Sequence, residues 1–225
     1  MKTYLCIGAG EGISLATAKR FADEGYQIVL ASRSAAERIR LGGELSAYGT
    51  HVKYEFVDAA DAKQLSHLVE KYIKEELDVV HYNAGVLHYD PAGNLVMASV
   101  DKQAPQDIEK DISINITGAL LLLSKVIPVM TQRGSGTILL TGGGLAVDPY
   151  ADLLTLSVGK AGIRVMTQAL FEPLKAQGVH IASVRVSTLV SADPSHPANI
   201  ADAFWELHTQ EKQAWTWETI YPAQA

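Results

Sequence analysis

The stretch Tyr4-Leu5-Cys6-Ile7-Gly8-Ala9-Gly10-Glu11-Gly12-Ile13-Ser14 runs from a short apolar segment into a glycine-rich turn and out into a helical pattern. An apolar run of this length, followed directly by glycines and a 3.6-period segment, reads as a strand–turn–helix unit. Glycines there permit a tight turn and let main-chain N–H groups approach a pyrophosphate at the positive end of the helix. The spacing is G-x-x-x-G-x-G with Ser14 in the last slot, a small residue that keeps helix and strand close. Gly8, Gly10, Glu11, Gly12 and Ile13 are the candidate residues for holding a dinucleotide.

The same alternation continues to the end of the chain. Apolar runs at 4–7, 26–31, 52–57, 78–82, 137–141, 180–186 and 217–221 read as strands. Helical patterns occupy 12–24, 35–48, 61–75, 106–131, 152–177 and 197–208. Continuous apolar strands separated by helices predict an α/β fold, a doubly wound parallel sheet of about seven strands with helices on both faces. No repeat or linker interrupts the pattern, so residues 1–225 are expected to form one domain.

Composition narrows the function classes. With 225 residues and a formal net charge of −6, a nucleic-acid or anionic-membrane partner is disfavoured, since both need clustered Lys and Arg. The single Cys6 cannot form an internal disulfide. The N-terminal apolar stretch is too short for a signal peptide, and the apolar run at 118–123 is too short to span a bilayer. A cytoplasmic protein without metal-ligating residues is the expectation. The helices near 106–131 and 152–177 are apolar over more than one face, which predicts either further intrachain cover or a homodimer or homotetramer built on them.

After the second strand the chain reads Ala31-Ser32-Arg33-Ser34, where an acidic residue would grip an unphosphorylated adenosine ribose. Arg33 flanked by Ser32 and Ser34 can instead take a 2′-phosphate, which favours NADP(H) over NAD(H). The plain alternative is a solvated arginine at a strand end.

The remaining motifs resemble the short-chain dehydrogenase/reductase family over essentially the whole chain. Asp58 matches its aspartate near the adenine. Tyr82-Asn83-Ala84-Gly85 matches its Asn-Asn-Ala-Gly element with Tyr for the first Asn. Asn115 and Lys160 match its active-site asparagine and lysine. The resemblance implies a Rossmann fold, an NAD(P)-binding domain and oxidoreductase activity on a carbonyl or alcohol. It also implies catalytic roles for Asn115 and Lys160, and a contact of Lys160 with the nicotinamide ribose. In the family a tyrosine four residues before the lysine is the acid/base, and a serine about 13 residues earlier orients the substrate oxygen. Here those positions are Leu156 and Gly143.

Two outcomes follow from that loss. Either the proton comes from elsewhere, with Tyr150 in the loop before the long sixth helix as candidate, or the chain is an inactive NADP(H)-binding sensor or regulatory protein. Ser157 lies about 100° from Leu156 around the helix and is a weak acid. His88, Tyr89 and His196 read mainly as structural or exposed, the last just before a helix starting at Pro197. The short connection at 193–197, where the family usually carries a longer lid, predicts an open cleft.

Overall fold

The computed structural model describes residues 1–74, 77–190 and 193–223, with the side chains of 35–39 also outside the described set. Seven strands form one sheet: β1 (Thr3–Ile7), β2 (Gln27–Ser32), β3 (Val52–Phe56), β4 (Leu77–Tyr82), β5 (Thr137–Gly143), β6 (His180–Val186) and β7 (Glu218–Tyr221). Their order is β3-β2-β1-β4-β5-β6-β7 and every neighbouring pair is parallel. The order reverses between β1 and β4, which opens a crevice at the carboxyl ends of the strands.

Both faces of the sheet are covered, which is why its strands are apolar throughout rather than alternating. Leu5 and Ile7 of β1 join one core with α3 (Ala62–Ile73), α5 (Gly118–Arg133) and α6 (Leu154–Ala176). Tyr4 and Cys6 face the other core with α1 (Ile13–Asp23), α2 (Ala35–Leu45) and α7 (Ser195–Thr209). Phe21 stacks on Tyr4 at 4.4 Å between ring centroids. Phe204 is fully buried and contributes about 2 kcal/mol by area.

The expected helix at 106–131 runs from Pro105 to Arg133, but it is not regular. After α4 (Pro105–Ile112), residues Ser113–Thr117 form a π-helical turn before α5. By length and composition this 29-residue helix could cross a membrane, with mean hydropathy 1.8 over its most apolar 18-residue window. The uninterrupted run at 118–123 understated it. Yet Ala119, Leu122, Leu123, Val126 and Met130 are buried in the core, where a helix of a parallel sheet belongs.

Other boundaries moved by local causes. The second helical pattern ends as a 3₁₀ turn at Ser46–Tyr48, and another at Ala151–Leu153 precedes α6. Asp61 caps α3 by accepting from the Lys63 and Gln64 N–H groups; residue 75, the expected end of this helix, lies outside the described residues. The last helix starts at Ser195 rather than Pro197, because Asp193 Oδ1 accepts from the Ser195 N–H at 2.9 Å.

Candidate active site

The crevice is a groove of about 460 Å³ lined by Gly8, Ala9, Ser32, Arg33, Asn83, Ala84, Gly85 and Ile114, among others. Gly8 has φ +86°, and a Cβ there would lie 2.4 Å from the Ala84 Cα and N, so only glycine lets the two strand ends meet. The Gly8 and Ala9 N–H groups both donate to the Ala31 carbonyl, at 3.0 and 2.9 Å, pinning the turn to the end of β2. Ser14 is buried and bridges the turn: its hydroxyl donates to Gly10 O (2.7 Å) and accepts from Gly10 N (2.8 Å). The last slot of the motif is thus a clasp as well as a close contact. Glu11 pairs with Arg40 of α2, and Ile13 opens α1 at the turn's end.

Ser32 and Arg33 form the outer end of the groove, Ser32 buried and Arg33 exposed. Val57 is the wall opposite. Asp58 is half-buried and engaged in its own turn, with Oδ1 accepting from the Ala60 N–H at 3.0 Å. The family resemblance implies a place for Asp58 near the adenine, and it directly follows Val57, which lines the groove.

A buried hydrogen-bond chain stitches the turn to the middle of the sheet. Asn83 Nδ2 donates to Gly8 O (3.0 Å), and the Thr141 hydroxyl donates to Asn83 Oδ1 (2.8 Å). His81 Nε2 must therefore donate to Thr141 Oγ1 (2.8 Å), leaving Nδ1 to accept from the Tyr4 hydroxyl (2.7 Å). That pattern requires a neutral imidazole, and burial lowers His81 to about 3. No spacing rule pointed to this chain, because its members come from three different strands.

At the inner end, Gly85 brings Asn115 and Lys160 together: a Cβ on it would be 3.8 Å from both Asn115 Oδ1 and Lys160 Nζ. The π turn carries Asn115, whose Oδ1 accepts from the Val86 N–H at 3.1 Å. Its Nδ2 is buried without a protein partner among the described residues. Gly159 lets α6 approach, since a Cβ there would meet Asn115 Cβ at 2.5 Å. Lys160 Nζ donates to Thr141 O at 2.8 Å, and burial lowers its amine to about 8. The lysine stem lies over Gly143, where a Cβ would be 3.0–3.3 Å from Cγ, Cδ and Cε. Lys160 has settled into the space that a serine would enter. The cradle at Gly8 and Ala84 and the unpaired Asn115 amide together fit a dinucleotide lying along the groove.

The other candidates are resolved by their partners. Tyr82 is no proton donor: it is buried, it donates to the Ile114 carbonyl freed by the π turn, and burial pushes its phenol up. Tyr150 is half exposed in its loop, and Tyr89 is more exposed still. Ser157 is buried and donates to Leu153 O (2.9 Å), so it does not orient a substrate. His196 packs on Tyr221 at 5.4 Å between rings. His88, expected to be a bland loop residue, pairs with Asp111 of α4 at 3.0 Å, and Thr155 donates to the same carboxylate at 2.7 Å. The available signal was an acid, Asp111, one helical turn before Asn115.

Comparison with known proteins agrees with this geometry. The chain is 32% identical over 192 residues to the very-long-chain 3-oxoacyl-CoA reductase of Emericella nidulans, covering 82% of this chain and 53% of that protein. It spans about half the length of such curated relatives, 56% for the reductase of Anas platyrhynchos. Among solved structures, a short-chain dehydrogenase from Rhodopseudomonas palustris superposes with TM-score 0.86 at 23% identity, over 99% of both chains. A metagenomic short-chain oxidoreductase in complex with NADP gives TM-score 0.86 at 22% identity, over 97% of this chain and 96% of that one. These two share the fold. The family model for short chain dehydrogenases matches residues 2–196, and the chain belongs to the short-chain dehydrogenase/reductase family.

Proposed function

We propose that this chain is an NADP(H)-binding oxidoreductase acting on a carbonyl or alcohol, with the proton handled by a group other than the missing phenol. The groove carries this reading: Arg33 and Ser32 lie at one end, the Gly8 cradle in the middle, and Asn115 and Lys160 beside Gly85 at the other. Arg33 would hold a 2′-phosphate by charge-assisted hydrogen bonds, and the α1 N-terminus with its glycine turn would hold the pyrophosphate. Lys160 and the Asn115 amide would meet the ribose and nicotinamide. The cofactor, when bound, supplies hydride chemistry. Leu156 has no group that can move a proton.

The rim supports an apolar substrate. Leu87, Met97, Val147, Tyr150 and Leu189 are all exposed, and the Emericella nidulans relative is a 3-oxoacyl reductase. An acyl-chain ketone is the substrate class we favour. Exposed Leu120 of α5 with Leu154, Val158 and Val165 of α6 supports a homodimer or homotetramer through those helices.

One observation favours a second reading, a cofactor-binding sensor without turnover. Lys160 is bound to a main-chain carbonyl over Gly143, and Leu156 lies one helical turn before it on α6. Fluorescence titration with NADPH and NADH, followed by NADPH oxidation across a carbonyl panel, separates the two. Tight NADPH binding with turnover is the expected result. Tight binding with none selects the sensor, and no binding of either nucleotide removes both.

A further inference from the structure

Asp111 is a carboxylate at 1% exposure, the one buried residue on a helix whose other side chains are exposed or half-buried. Burying a carboxylate costs several kcal/mol unless it is paired and hydrogen-bonded. Here both oxygens are used. His88 Nε2 lies 3.0 and 3.1 Å from Oδ1 and Oδ2, and the Thr155 hydroxyl donates to Oδ2 at 2.7 Å. The fold therefore maintains a buried acid whose visible effect is to hold one imidazole, and that imidazole is 39% exposed.

Each member of the trio adjoins a position of the reacting end. Thr155 immediately precedes Leu156 on α6. Asp111 lies one helical turn before Asn115. His88 follows Gly85 by three residues, beyond the point where Lys160 Nζ and Asn115 Oδ1 converge. With Nε2–H donating to Asp111, Nδ1 is left without a protein hydrogen bond among the described residues. The charged group bonded to the ring is Asp111 from α4. Asp90 in its own loop is turned onto the Ala92 and Asn94 N–H groups.

We propose that His88, oriented by Asp111 and Thr155, is the proton donor and acceptor of this cleft in place of the phenol that Leu156 replaces. This rests on the oxidoreductase reading above. The cofactor, when bound, would supply the hydride to the carbonyl carbon, and the carbonyl oxygen would gain the electron pair. That oxygen takes the Nδ1 proton of the imidazolium, the Nε2–H stays on Asp111, and the neutral ring is reprotonated by solvent after the alcohol leaves. Oxidation runs the same transfers backwards. A phenol needs a neighbouring cation to work near neutral pH, whereas an imidazole does not. The exchange of Tyr for His–Asp thus matches a Lys160 amine bonded to Thr141 O rather than free to support a phenolate. Asp111 and Thr155 act as positioning residues.

The test uses the full chain as wild type, His88→Gln, His88→Gly and Asp111→Asn, with NADPH and 4-nitrobenzaldehyde as the probe pair. NADPH affinity by fluorescence is expected to stay within about twofold in every variant. His88→Gln should lower kcat by about 100-fold and remove the fall of kcat on the alkaline side. Added imidazole should restore part of the activity of His88→Gly and leave the wild type unchanged. Without any cofactor, ring ¹⁵N NMR should find His88 as the Nε2–H tautomer in the wild type, and a tautomer mixture in Asp111→Asn. Thr155→Val replaces that variant if it does not fold. Wild-type kcat in His88→Gln, with NADPH still bound, overturns the role of His88 and leaves the oxidoreductase reading standing. An Nδ1–H tautomer overturns the pairing. A wild type that neither binds NADPH nor turns over the aldehyde overturns both readings.

Discussion

The outer and inner ends of the groove are built from opposite kinds of parts. The outer end, from Gly8 to Arg33, is main chain and turn chemistry: a glycine at φ +86°, two N–H groups on the Ala31 carbonyl, and the Ser14 clasp. The inner end is side chains on helices, with Asn115 on a π turn, Lys160 over Gly143, and the His88–Asp111–Thr155 trio. A main-chain cradle tolerates few substitutions, because backbone cannot step aside. A constellation of side chains can lose a member and be rebuilt from neighbouring helices. Leu156 and Gly143 belong to the inner end, and the glycine turn to the outer one.

The contrast is broken first at Gly8. Gly8→Ala puts a Cβ 2.4 Å from Ala84 backbone at a left-handed φ, and should cost about 3 kcal/mol together with NADPH binding. Thermal unfolding and NADPH titration read it; a variant as stable as wild type with intact binding would show that the cradle is not rigid. Next comes Leu156→Tyr with Gly143→Ser, which should raise NADPH-dependent aldehyde reduction by about 100-fold once Lys160 moves off the new serine. If this double variant binds NADPH and gains nothing, the inner end has departed from the family geometry in more than two residues.

The chain that joins the two ends is sensitive to acid. His81 in that chain, lowered to about 3, and His208 outside it, bonded to Tyr26 and Thr137 and lowered to about 4, are both depressed by burial. The folded state stays neutral at these sites while the unfolded chain takes up protons below about pH 6.5. Their stability is fully present above that pH and is lost as pH falls towards 4 and 3. From pH 7 to pH 5 the loss should be about 2 kcal/mol at each histidine, seen as a lower urea midpoint. A flat stability profile over this range would mean that His81 is protonated or solvated in the folded chain. The smallest effect is expected from Arg33→Ala, which should weaken NADPH binding about tenfold and leave NADH unchanged. Equal losses for both nucleotides would remove the 2′-phosphate role.

Much of this was readable in advance. The seven strands and the parallel architecture followed from local periodicity, which buried helices and strands obey strictly. Gly8 and Asn83-Ala84-Gly85 line the groove, and Asn115 and Lys160, matched by resemblance, converge beside Gly85. What escaped has a common cause. Asp58 is engaged in its own turn, Ser157 is spent on the Leu153 carbonyl, and the Tyr82 hydroxyl donates to Ile114 O within the π turn. Each depends on where a side chain points once a distant element is packed against it.

The sequence by itself determined the sheet, the glycine cradle and the absence of a phenol at position 156, because those are properties of residue type and near-neighbour spacing. Only the tertiary structure decided what the survivors do. It folded Lys160 over Gly143, fixed the His81 tautomer through three strands, and brought His88 to Asp111 across 23 residues of chain. Such contacts are set by packing between elements, and a buried carboxylate declares its purpose only through the groups that close around it.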